Sequence, residues 1–118
     1  MTTPQDPQLL KGVLSLVLMQ LVAEREDYGY SLVVRLQGHG FAELREGSVY
    51  PALTRLEAAG LLGSRLVRSA SGPARKYYGI TPAGRAELVR GLAAWNALVA
   101  AVQRITRAPH PTTAGSTP

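Results

Sequence analysis

Residues 47–62 read GSVYPALTRLEAAGLL. Leu53, Leu56 and Ala59 recur at helical spacing, and Gly60 marks a stop. Ser48, Tyr50, Thr54 and Arg55 fall on the other side of the same helix. Yet Pro51 stands in its first half. A proline inside a helix removes one hydrogen bond and crowds the turn before it, which costs about 3 kcal/mol or more. In the first turn the penalty is small, because the missing amide would have had no good partner there. Proline also narrows the backbone choices of the residue before it, here Tyr50. The stretch is therefore expected to be a helix whose entry Pro51 stiffens, with Ser48 and Tyr50 held outward. A plainer reading is equally open: Pro51 ends a fraying first turn and Tyr50 packs.

Upstream, residues 9–24 (LLKGVLSLVLMQLVAE) carry apolar side chains at 10, 13, 14, 17, 18 and 21, a helical period with a broad buried face. Charged residues from Glu24 to Asp27 mark a turn. Asp27 is suited to cap a second helix in YGYSLVVRLQGHG, where Tyr30, Val33, Val34 and Gln37 follow helical steps and Gly38 and Gly40 close it. Phe41–Leu44 reads as a short extended piece.

Downstream, LLGSRLVRSA and ARKYYGI flank Ser-Gly-Pro, a hairpin signal. Thr81-Pro82 then starts a fourth helix, with Thr as cap and Pro in the first helical position. Along it Leu88, Leu92, Trp95, Val99 and Val102 recur at steps of four, three, four and three. That is a coiled-coil-type seam, and the alanines around it allow another helix to come close.

The order is helix, helix, helix, hairpin, long helix. The fold class expected is mainly α with a small β-hairpin: a winged helix-turn-helix over 9–81 followed by a dimerisation helix over 82–106. Residues 1–8 and 107–118, rich in Pro, Thr and Ser, are expected as disordered tails. A core this small gains from association.

Charge is unevenly spread. Residues 1–46 hold four basic and six acidic side chains, and residues 47–118 hold nine and two. Arg outnumbers Lys eleven to two, which suits phosphate and guanine recognition but also follows from a GC-rich genome. Placement decides between the two. The N-terminal half of the third helix offers Ser48, Tyr50, Thr54 and Arg55, groups fit for base edges and phosphates in a major groove. The hairpin carries Arg65, Arg68, Arg75 and Lys76, with no acidic residue between Leu61 and Ile80. Such a run is usually a solvated face; beside a helix-turn-helix it points to a DNA backbone or minor groove.

Other chemistries find little support. With no cysteine there is no disulfide, thiolate zinc site or thiol nucleophile. His39 and His110 are isolated, so no metal is expected. No nucleophile motif, paired acid and base, or phosphate loop occurs, so neither an enzyme nor a cofactor is expected. No leader is evident, and the apolar run 13–22 is too short to span a bilayer; a cytoplasmic location is expected, with no membrane partner.

At this level of detail the chain resembles the PadR family of bacterial transcriptional regulators, in its short subfamily with one C-terminal helix. The matching pieces are YGYSLVVRL (28–36), EGSVYPALTRLEAAGLL (46–62) and RKYYGITPAGRAEL (75–88). The resemblance implies a homodimeric repressor that binds an inverted-repeat operator in double-stranded DNA. It implies that Ser48, Tyr50, Pro51 and Arg55 belong to the reading helix and that Gly72, Arg75 and Lys76 on the wing touch the backbone. It also implies that the last helix builds the dimer with the first. Some short members bind flat aromatic or drug-like compounds between subunits, with Trp at the position of Trp95. On the residues alone, Trp95 is read as dimer core first and as a ligand wall second. Arg45 departs from the family pattern, which often has a capping Ser, Asn or Asp there. Two rivals to a DNA-reading dimer remain: a winged-helix module for protein contacts, and a small-molecule-binding dimer without DNA readout.

Overall fold

The computed structural model describes residues 6–107; of the tails expected at 1–8 and 107–118, residues 1–5 and 108–118 lie outside this range, whereas Pro7 and Gln8 already belong to the first helix. The order is α1 (Pro7–Glu24), β1 (Asp27–Tyr28), α2 (Gly29–Gly38), α3 (Glu46–Ala58), β2 (Leu62–Ser69), β3 (Gly72–Ile80) and α4 (Pro82–Thr106). The chain divides into two compact units, one ending at Leu88 and the other starting at Val89.

In the first unit, α3 buries Val49, Ala52, Leu53 and Leu56, the i, i+3, i+4, i+7 stripe that faces a core. Ala59, expected on that stripe, is instead exposed at the C-terminal boundary. The stripe packs with Leu18 and Val22 of α1 and with Leu32 and Leu36 of α2 in one apolar cluster. On α2 the buried residues are Leu32, Val33 and Leu36, while Tyr30 and Val34 are exposed. The helix is thus rotated from the face read in the sequence, because the bulkier aliphatic pair Leu32 and Leu36 claims the core.

Both helices of this pair end alike. Gly60 takes φ +77°, its amide donates to Glu57 O and the amide of Leu61 donates to Leu56 O. Gly40, at φ +100°, does the same for α2 through Gln37 O and Leu36 O. A left-handed residue here suits glycine and satisfies carbonyls that would otherwise be orphaned.

The sheet runs β1-β3-β2, antiparallel throughout. Phe41–Leu44 forms turns and not a strand; the extra strand is Asp27–Tyr28, opposite Tyr78 and Tyr77. Asp27 therefore does not cap α2, whose N-cap is Tyr28. Its carboxylate is buried and accepts from Ser31 Oγ at 2.6 Å, Arg35 Nη1 at 3.0 Å and the Tyr28 amide at 3.0 Å. The Arg35 guanidinium also donates to Leu21 O and Glu24. This charged knot joins α1, β1 and α2. The hairpin turns at Ala70-Ser71, and Gly72-Pro73 already belong to β3. A pairing irregularity between Val67 and Ser69 moves the tip away from the expected Ser-Gly-Pro.

Thr81 caps α4: its Oγ1 accepts from the Gly84 amide at 3.0 Å and donates to Gly60 O at 2.7 Å. Gly84 lets the helix press on the turn between α3 and β2, since a Cβ there would run into the Leu61 carbonyl. In the second unit, the remainder of α4 carries Leu92, Trp95, Leu98, Val102 and Ile105 at 37–80% exposure.

Candidate nucleic-acid interface

The outward side of α3 is built by default. With Val49, Ala52, Leu53 and Leu56 turned inward, Ser48, Tyr50, Pro51, Thr54 and Arg55 are all exposed. The helix starts at Glu46, directly after Arg45, which makes no side-chain cap. Pro51 is therefore its sixth residue, a turn deeper than the sequence suggested. The amide it lacks would have met Gly47 O in an ordinary helix. Both residues are exposed, so water can take that carbonyl. The Thr54 hydroxyl donates to Tyr50 O at 3.0 Å, so its methyl is the part left to make outward contacts.

Tyr50 is neither free nor packed in the core. Its ring lies against Gly29 at the start of α2, where a Cβ would come within 2.6 Å of Tyr50 Cε1. Burial of the ring raises its hydroxyl pKa, and the Glu46 carboxylate adds to this. The phenol stays protonated, and so able to donate, at neutral pH.

The hairpin's charge differs from the expectation. Arg65 is held by Glu26, with Nη2 at 2.7 Å from Oε1, and Lys76 by Glu57, with Nζ at 2.8 Å from Oε1. Glu57 also accepts from Ser64 Oγ. The acid-free run is thus answered by carboxylates from the α1–β1 turn and from α3. These contacts lower the pKa of Glu26, chiefly through the hydrogen bonds from Arg65, and of Glu57, chiefly through that from Lys76. They raise those of Arg65 and Lys76. The Lys76–Glu57 pair links the wing directly to α3. Among the described residues, Arg55, Arg68 and Arg75 have no carboxylate partner. Arg75 sits 4.5 Å above the Tyr28 ring, which itself tilts against Tyr77 at 5.3 Å.

Between α3, the start of α2 and β3 lies a crevice of about 500 Å³, lined by Tyr28, Gly29, Tyr30, Tyr50, Arg75, Lys76 and Tyr78. The sequence reading singled out Tyr50, Arg75 and Lys76 but missed the wall from Tyr28 to Tyr30. A glycine between two aromatics at a helix entry was the available sign. Gly72 opens β3 at the hairpin tip, apart from this crevice. Of the seam residues, Leu88 is buried in the first unit, Val99 is half-buried, and Leu92, Trp95 and Val102 are exposed. Among the described residues, no group of three His, Cys, Asp or Glu side chains could hold a metal, and no helix is long and apolar enough to cross a membrane.

Comparison with known proteins shows the family. The model of the transcriptional regulator PadR-like family matches residues 17–90. Transcriptional regulator Rv3488 of Mycobacterium tuberculosis is 41% identical over 78 residues, covering 66% of this chain and 71% of that protein. A PadR-like transcriptional regulator from Bacillus cereus superposes with TM-score 0.78 at 36% identity, over 86% of this chain and 99% of the other. A PadR family transcriptional regulator from Eggerthella lenta gives 0.79 at 32% identity, over 86% and 88%. With its α3 face, its wing and this family match together, the chain belongs to the PadR-like family of transcriptional regulators.

Proposed function

We propose that the chain is a homodimeric repressor that reads an inverted-repeat operator with α3 and holds the flanking backbone with its wing. The observation that carries this reading is the outward row Ser48, Tyr50, Thr54 and Arg55, opposite a fully apolar inner stripe, together with Arg68 and Arg75, which among the described residues have no carboxylate partner. Ser48 and Arg55 offer donors to base edges and phosphates, and the Thr54 methyl suits a thymine methyl. The uncapped start of α3 leaves amides that favour phosphate. Gly72 brings the hairpin tip close to the backbone without a side chain in the way. Lys76 acts in part through Glu57, holding the wing against α3, and in part as a phosphate contact.

The dimer forms along α4, where Leu92, Trp95, Val99 and Val102 make the seam; Leu88, expected on that seam, is buried in the core of the first unit and takes no part in it. Exposed large apolar side chains in such a row are what a partner helix would cover. Release of DNA follows when a flat aromatic effector, stacking on Trp95 between subunits, prefers a dimer with misplaced reading helices; without differential affinity nothing shifts.

A gel shift tests the reading. Parent protein should bind its operator over scrambled duplex, and binding should fall steeply as salt rises from about 50 to 200 mM. Arg55→Ala, which removes an outward donor to base edges, should lose that selectivity. Equal binding of operator and scrambled DNA by the parent would contradict sequence readout.

A further inference from the structure

The crevice between α2, α3 and β3 has no role in the reading above, which treats Tyr50 and Arg75 as separate contacts. We infer that it is one built site for a single DNA phosphodiester, with Tyr30 and Tyr28 as DNA-contacting residues alongside Tyr50 and Arg75. This rests on the proposed DNA-binding function.

Three observations carry the inference. First, position: the crevice separates the α3 face from the wing. When a recognition helix occupies a major groove and a wing reaches the neighbouring minor groove, one backbone strand passes between them. Second, chemistry: the walls are tyrosine rings and Gly29, which suit a deoxyribose, and Arg75 suits its phosphate. Third, preorganisation: Arg75 Cζ lies 4.5 Å from the centroid of the Tyr28 ring, which holds the guanidinium at the crevice wall where its N–H groups can serve a phosphate. Among the described residues, no protein acceptor takes those N–H groups or the hydroxyls of Tyr28, Tyr30 and Tyr50. Tyr78 forms the floor and is buried.

The test is a double-mutant cycle between protein and DNA. Full-length protein, Arg75→Gln and Tyr30→Phe are titrated with a selected duplex and with copies carrying one neutral methylphosphonate, moved position by position. Matching thermal midpoints establish that both exposed substitutions leave the fold intact. The expected result is one position per half-site where the neutral linkage weakens the parent, while its effect on both variants is smaller by about threefold or more. Arg75→Gln should also reduce the slope of log affinity against log salt by about 0.9. Additive penalties at every position, or an unchanged slope, would overturn the single-phosphate site. If the parent binds no duplex at all, the DNA-binding reading fails instead. Saturable binding of benzoate that Arg75→Gln abolishes, with no coupled phosphate, would assign the crevice to a small aromatic anion and so overturn the inference.

Discussion

The Tyr50 ring rests on the backbone of Gly29, so close that a methyl group built on Gly29 would meet Tyr50 Cε1 at 2.6 Å. The second helix thereby sets where the third helix holds its one aromatic side chain. The contact also explains why Tyr50, the residue before a proline, is partly covered yet still reaches outward.

Gly29→Ala separates that role from stability. Alanine is the better helix former by up to about 1 kcal/mol, and the atom it meets belongs to a side chain that can swing aside. Urea unfolding should show stability within about 1 kcal/mol of the parent. Operator binding should nevertheless weaken, because the displaced phenol leaves its place between α3 and the wing.

Asp27→Ala should be costly. It removes a buried carboxylate that neutralises Arg35, itself largely covered, and that holds Ser31 and the Tyr28 amide. Removing one partner of such a buried pair costs about 3–5 kcal/mol. The loss should appear in the denaturant midpoint with an unchanged slope. Glu24, still 3.1 Å from Arg35, sets the lower end of that range.

At the start of α4, Thr81→Ala should lose about 1 kcal/mol of stability, the usual worth of an N-cap hydroxyl. Gly84→Ala should lose more, because its methyl would meet the Leu61 carbonyl, which is backbone and cannot swing away. Thermal unfolding that ranks the two in the opposite order would contradict this account of the α3–α4 junction.

The wing's two ion pairs predict an acid-side signature. Glu26 and Glu57 both have carboxyl pKa values below the ordinary 4.5, because Arg65 and Lys76 favour the charged form. A carboxyl depressed in the folded state adds stability above its unfolded value and loses it as pH falls through the folded value. The contribution should be complete above about pH 5 and fade below that. Both pairs are solvent-exposed, so the effect should be modest and weaken with salt. The double variant Glu26→Gln, Glu57→Gln should flatten the pH dependence of the urea midpoint between about pH 3 and 6.

Much of this fold is legible in the sequence. Helical spacing around Leu53 and Leu56, the stop at Gly60 and the Thr81-Pro82 start all appear as read, since each depends on residues close in sequence. Contacts between distant segments were not legible. The short strand at Asp27–Tyr28 has no local strand pattern and exists because β3 offers it an edge. The face of α2 was misjudged for a related reason: Tyr30, Val34 and Gln37 match a helical step, but only the tertiary core decides which stripe is covered. The hairpin looked uncompensated because its carboxylates, Glu26 and Glu57, come from elsewhere in the chain. The aromatic crevice was hidden because Tyr28, Tyr50 and Arg75 lie far apart in sequence and meet only through the fold.

The central claim is that two copies of the α3 edge are presented together to B-form DNA. Its most direct measurement is selection of duplexes bound by the purified protein from a random pool. The account predicts an enriched inverted repeat with half-site centres about one helical turn apart, roughly 34–36 Å. A pool that stays random after repeated rounds, or that yields only a lone unrepeated half-site, would contradict it.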